Sequence, residues 1–165
     1  MRYAQIRSMD ISNGEGVGVS LFVQGCPFHC KNCFNSETWD FNGGKEWTEE
    51  TKEQFIELIG RPYIKRVSIL GGEPLAGKNY LTIRCLLKEI KDKFPNKQIW
   101  LYSGYNFEHL SREQLRTIIY VDILVDGEYI DEQKDLLLKW RGSKNQKVIN
   151  VQQSLKQGKV VLYCE

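Results

Sequence analysis

Four short apolar runs in this chain each stop at a glycine-bearing turn. Val17–Gln24 stops at Gly25, Lys65–Leu70 at Gly71-Gly72, Gln98–Tyr102 at Ser103-Gly104, and Val121–Val125 at Asp126-Gly127. Their apolar and β-branched content predicts strands. Helical patterns fill the gaps. Thr48–Ile59 opens on a capping threonine and carries Phe55, Ile56 and Ile59 on one face. Asn79–Phe94 sets Ile83, Leu86, Leu87, Ile90 and Phe94 at helical spacing, and Pro95 ends it. Ser111 starts a third helix, with Gln114 placed for a capping box. Lys159–Tyr163 predicts a terminal strand. Strand and helix in alternation predict an α/β fold with a parallel sheet and crossover helices. Such sheets place ligands at the carboxyl ends of their strands. The turns at 26–30, 71–74, 103–105 and 126–128 therefore converge on one edge. A complete eight-stranded barrel takes ~250 residues, and this chain has 165.

The first of those turns holds Cys26-x-x-x-Cys30-x-x-Cys33. Three thiolates in one short loop can turn inward on one metal centre, and Gly25 and Pro27 help the chain bend. Four-iron clusters normally use four thiolates. Here Cys85 lies on the long helix and Cys164 at the chain end, where both read as ordinary small residues. Three ligands would leave one iron open, as catalytic zinc sites keep a position for substrate. Two alternatives stand at this point. A structural zinc could use the three cysteines with His29 or a distant residue, although two separated Cys-x-x-Cys pairs are absent. Unliganded core cysteines are the other, in a loop whose proline and histidine make poor core material.

The remaining composition narrows the field. With 23 Lys and Arg against 21 Asp and Glu, the basic surplus of a nucleic-acid binder is missing. An apolar share of 41% argues against disorder. No signal peptide is visible in the first ten residues, and Ile118–Val125 is too short and too polar to span a bilayer. The expectation is a cytoplasmic chain with no membrane and no nucleic-acid partner. An odd number of cysteines without a secretion signal disfavours disulfides. No Ser/His/Asp constellation is evident.

Cys26-x3-Cys30-x2-Cys33 followed by Phe34, together with Gly71-Gly72-Glu73-Pro74, resembles the radical S-adenosylmethionine (SAM) superfamily. Within it, the chain is similar to the activating proteins of anaerobic (class III) ribonucleotide reductases. Asn13-Gly14-Glu15-Gly16, Phe34-Asn35-x-x-Thr38-Trp39 and Arg141-Gly142-Ser143-Lys144-Asn145-Gln146 carry that likeness, from about Tyr3 to about Val151. It departs at Gly18, where many relatives carry a basic residue, and at Glu15, where proline is common. The resemblance implies a single radical SAM domain over residues 1–165. Its fold would be a partial, open (β/α) barrel of about five to six mostly parallel strands.

The resemblance also implies a mechanism. A [4Fe-4S] cluster on Cys26, Cys30 and Cys33 binds SAM at its open iron and cleaves it reductively. The resulting 5′-deoxyadenosyl radical takes a hydrogen from a glycine on the reductase. The one-electron donor is a flavodoxin or ferredoxin, and a homodimer is left open. Gly71 and Gly72 would let the backbone approach the methionine part, Glu73 would accept from its amino group, and Pro74 would turn the chain away. Asn32 and Phe34 flank the adenine, where an aromatic ring can stack. Ser103 and Asp126 stand at strand ends near ribose, amine or a cation, against a plain role as turn and cap residues. Arg141 could pair with a carboxylate of SAM or of the partner.

Other readings remain at this stage. The motifs also suit activators of other glycyl-radical enzymes, such as pyruvate formate-lyase, and small-molecule enzymes such as a deazaguanine synthase. A non-catalytic metal-binding or electron-transfer module is a different class. Trp39, Phe41 and Trp47 either border the opening for the partner's glycyl loop or pack over the cluster.

Overall fold

Capping chemistry sets the helix starts. Thr48 accepts a hydrogen bond from the Thr51 backbone, and Ser111 and Gln114 form a reciprocal capping box. The computed structural model describes residues 1–165. Its order is β1 (Arg2–Asp10), β2 (Gly18–Val23), β3 (Lys45–Glu46), α1 (Glu49–Ile59), β4 (Arg66–Gly71), α2 (Tyr80–Lys93), β5 (Gln98–Tyr102), α3 (Arg112–Ile118), β6 (Ile123–Asp126), β7 (Lys147–Asn150), α4 (Val151–Gln157) and β8 (Leu162–Cys164).

All eight strands form one sheet in the order β3-β1-β2-β4-β5-β6-β7-β8. Only β2, β4, β5 and β6 run parallel, and every other pairing is antiparallel. The expectation of five to six mostly parallel strands is thus corrected to eight mixed strands with a parallel centre. The sheet is open, because β3 and β8 are its two edges.

The parallel strands advance in one direction across the sheet. Right-handed crossovers then put the intervening helices on one face. Phe55 of α1, Ile83 and Leu87 of α2, Ile118 of α3 and Val151 of α4 meet Leu21, Ile69, Leu101 and Leu124 in a core of 21 buried residues. The alternate strand positions point to the opposite face. There Trp100, Ile123, Val125 and Val148 form a second cluster, with Trp140 and Tyr163 packed against it.

The same face holds a buried polar group. The Arg66 guanidinium lies 3.4 Å from the Asp10 carboxylate and donates to Ser68, while Ser20 donates to Asp10. Burial alone would raise the Asp10 carboxyl. Hydrogen bonds from Ser20, Asn13 and the backbone of Ser12 and Asn13 outweigh it and hold the group at about 2. Arg66 also explains Gly18, since a Cβ there would stand 2.6 Å from the Arg66 side chain.

Candidate metal and cofactor site

The carboxyl ends of the parallel strands open into one cavity of about 620 Å³. Cys26, Cys30, Cys33, Phe34, Gly71, Gly72, Glu73, Ser103 and Arg141 all line it. The cysteine turn leaves β2 and is tied back on itself: Gly25 N–H donates to Thr38 and Cys26 N–H to Trp39. His29 and Asn32 take left-handed conformations, at φ 51° and 56°, on either side of the central Cys30. Those two reversals fold eight residues into a turn tight enough to bring three thiols to one cavity.

The chemistry of the donors suits an iron–sulfur cluster. All three thiols are free and half-buried. Burial pushes Cys26 up to about 11, and the nearby Glu73 carboxylate acts in the same direction. Burial also raises Cys30, with Glu128 and Cys33 adding to it. A bound cation would displace those protons. The three thiols line one cavity without being gathered onto a single point. A cluster spreads its thiolates over different irons. His29, the nearby candidate for a fourth zinc ligand, stacks on Trp39 at 4.6 Å and is not part of the cavity wall.

The second strand end is built by close approach. Gly71 has φ 99°, and a Cβ there would stand 2.8 Å from the Phe22 backbone. A Cβ on Gly72 would stand 2.5 Å from the Gly25 carbonyl oxygen. The glycine pair is therefore required by the chain's own packing against the start of the cysteine turn. Glu73 is 1% exposed. Its Oε1 accepts from Leu75 N–H and Ser103 Oγ–H, both at 2.9 Å, and its Oε2 accepts from Gly104 N–H at 2.7 Å. A carboxylate has about four acceptor sites, so roughly one is left for a ligand. Burial raises this carboxyl to about 7, despite those hydrogen bonds. Ser103 is thus oriented by Glu73 and receives Tyr105 N–H in turn.

Phe34 is 61% exposed at the cavity rim and packs at 5.3 Å against Tyr129. Arg141 donates to the Gln146 carbonyl, and its buried Nε has no protein partner. Three expected residues lie outside the wall. Asn32 donates to Asp131 at 2.7 Å on the surface. Pro74 is buried in the turn. Asp126 is buried too, where it accepts from Phe107 N–H and Lys147 N–H and joins the β5–α3 connection to β7. Burial raises the Asp126 carboxyl.

Sequence reasoning did not pick out Arg7 and Ser12, and named Asn13 only within the family likeness, yet all three reach the cavity from β1 and the turn after it. Nor did it pick out Tyr102, Tyr129, Leu136, Leu138 and Trp140. Their signal was the Arg141–Gln146 segment. Gln146 binds Gly142 N–H, Ser143 N–H and the Gly127 carbonyl, and so shapes that wall. Trp39, Phe41 and Trp47 do not line the cavity: Trp39 stacks on His29, Phe41 lies against Gly25, and Trp47 packs between Tyr3 and Phe55.

Residues 12–149 match the 4Fe-4S single cluster domain family. A Vibrio cholerae protein named anaerobic ribonucleoside-triphosphate reductase-activating protein is 39% identical over 148 residues, covering 88% of this chain and 96% of the relative. Proteins of the same name from Escherichia coli K12 and Enterobacteria phage T4 are 38% and 39% identical over 150 residues, each covering 90% of this chain. The chain belongs to the family of anaerobic ribonucleoside-triphosphate reductase-activating proteins. The span matched to the 4Fe-4S domain contains every cavity-lining residue except Arg7. No helix in this family member is long and apolar enough to cross a membrane.

Proposed function

We propose that this chain is a radical SAM enzyme that activates an anaerobic ribonucleoside-triphosphate reductase by forming a glycyl radical on it. It works in the cytoplasm as one domain over residues 1–165, a shortened and open form of the barrel, and draws single electrons from a flavodoxin or ferredoxin. The observation that carries the reading is the meeting of three free thiols with Gly71, Gly72 and Glu73 around one cavity, in a chain of this family. Cys26, Cys30 and Cys33 hold a [4Fe-4S] cluster and leave one iron for SAM. When bound, this pair supplies reductive C–S cleavage and the hydrogen-abstracting power that no side chain here has.

The residues of the chain bind, orient and exclude water. Glu73 locks the β4 and β5 turns together through Ser103 and Gly104. Phe34 offers an exposed ring on which an adenine can stack. Arg141 offers its free Nε to a carboxylate. Asn32 and Asp126 brace the turns beside the cavity through Asp131 and the backbone amides of Phe107 and Lys147.

The test reconstitutes the cluster anaerobically, then adds SAM, a reductant and the reductase. The expected result is 5′-deoxyadenosine and a glycyl-radical doublet in electron paramagnetic resonance. A radical on pyruvate formate-lyase and none on the reductase would overturn the partner. An absence of 5′-deoxyadenosine from cluster-loaded protein would overturn the enzyme.

A further inference from the structure

The segment between the Asp131–Gln133 turn and β7 forms a hairpin-like loop. Lys134 pairs with Ser143, and Asp135 N–H donates to the Gly142 carbonyl, which closes the loop at its base. Trp140 anchors one arm, with its ring 5.0 Å from the buried Trp100 and 6.2 Å from Tyr163. The tip is anchored at its base and still bare. Leu136 is 82% exposed and Leu137 is 92% exposed, the highest values among the large apolar residues. Leu138 is half-buried and, with Leu136, lines the same cavity as the three thiols. Exposed single leucines are common, but two adjacent ones at the mouth of a reaction cavity are not needed by the fold.

We propose that the Leu136–Leu137 tip is a docking anchor that inserts into an apolar recess of the reductase, beside the loop bearing its target glycine. This rests on the function proposed above, under which a folded protein must present a glycine at this cavity. Position supports it, because the tip continues the cavity wall outward through Leu138 and sits with Phe34 on one rim. Charge defines the edge of the recess. Lys139 is exposed and forms no salt bridge, and the exposed Lys134 lies over the Phe34 ring at 5.5 Å while its charge also acts on the Asp131 carboxylate. Acidic side chains around an apolar pocket complement that pattern. Covering the rim would also close the cavity to water as the glycine enters.

The experiment compares Leu137→Asp with Leu81→Asp, a 57% exposed leucine on α2, and with Leu137→Met. Reductase affinity is measured anaerobically by calorimetry, glycyl radical by paramagnetic resonance, and partner-free SAM cleavage by 5′-deoxyadenosine release. Leu137→Asp is expected to weaken reductase binding at least ~10-fold and to slow radical formation equally at limiting reductase. Its partner-free SAM cleavage stays at the wild-type rate. Leu81→Asp and Leu137→Met bind within about twofold of wild type. Reductase affinity of Leu137→Asp within about twofold of wild type overturns the docking site. So does a change confined to sedimentation, with a wild-type dimer turned to monomer and reductase binding intact, since a second copy would then be the occupant. Failure of the wild-type protein itself to bind the reductase would instead overturn the proposed function, and the docking site with it.

Discussion

Glu73→Gln is expected to change how stability depends on pH, because this carboxyl is sealed in the wall between two strand ends. Burial lifts it from 4.5 to about 7. That difference is worth about 3 kcal/mol. Below about pH 4.5 the group is neutral in both folded and unfolded chains and opposes nothing. As pH rises to about 7, the unfolded chain ionises freely while the folded one keeps its proton, so folding loses stability. Above about pH 7 the loss is complete. Glutamine does not titrate. It also sets an amide N–H₂ against Gly104 N–H, a pH-independent cost of about 1–3 kcal/mol that cancels from the slope. Urea denaturation of the reduced, cluster-free protein reads the effect at several values between about pH 5 and about pH 8. Wild type should fall relative to Glu73→Gln by about 2–3 kcal/mol across that range. A difference constant to within ~0.5 kcal/mol would refute the burial argument.

Other perturbations test neighbouring parts of the structure. Asp10→Asn leaves the fully buried Arg66 without its counter-charge and should cost about 3 kcal/mol or more in urea unfolding. The Asp10 carboxyl is held at about 2, so its contribution is present above about pH 4 and lost as acid carries the pH down through about 2; acid titration should show Asp10→Asn missing that loss. Gly72→Ala drives a methyl toward the Gly25 carbonyl and should destabilise by about 1–3 kcal/mol while lowering iron uptake, both read on one reconstituted sample. Cys26→Ser, Cys30→Ser and Cys33→Ser should each lose the four-iron spectrum and stoichiometry, whereas the exposed Cys85→Ser should keep both.

Four of the five strands found by sequence are the buried centre of the sheet; the fifth, expected at Lys159–Tyr163, is the edge strand β8 at Leu162–Cys164. β2, β4, β5 and β6 carry continuous apolar runs, and each fell within two residues of its expected bounds. β1 passed unread because its residues are mostly exposed or half-exposed and mix Arg2, Gln5 and Arg7 with apolar ones, as suits a strand near a sheet edge. β7 and α4 passed unread because no turn residue separates them: Asn150 ends the strand and also caps the helix, accepting from Gln153 N–H. Within the site, the cysteines and the Gly71–Pro74 turn were legible because close approach and metal chemistry leave few residue choices. Asn32 and Asp126 were placed near a ligand because they flank the right turns. Their side chains bind Asp131 and backbone amides and lie outside the cavity wall, and no spacing rule carries that direction.

What this chain holds in its one-dimensional pattern is thus the parallel centre of the sheet, the convergence of its strand-end turns and the identity of the three clustered thiols. Those follow from local rules: apolar runs bury, glycines permit reversals, and soft donors at short spacing bind soft metals. Long-range contact alone could decide the rest. Glu73 is a brace because β5 brings Ser103 and Gly104 to it from 30 and 31 residues away. Gly18 is a glycine because Arg66 from the neighbouring strand occupies the space of its side chain. Leu136 and Leu137, apolar by composition, stand in solvent while Trp140, three residues on from Leu137, packs against the buried Trp100. A side chain's partner is set by the residues that folding carries next to it, and neighbours in sequence do not encode that.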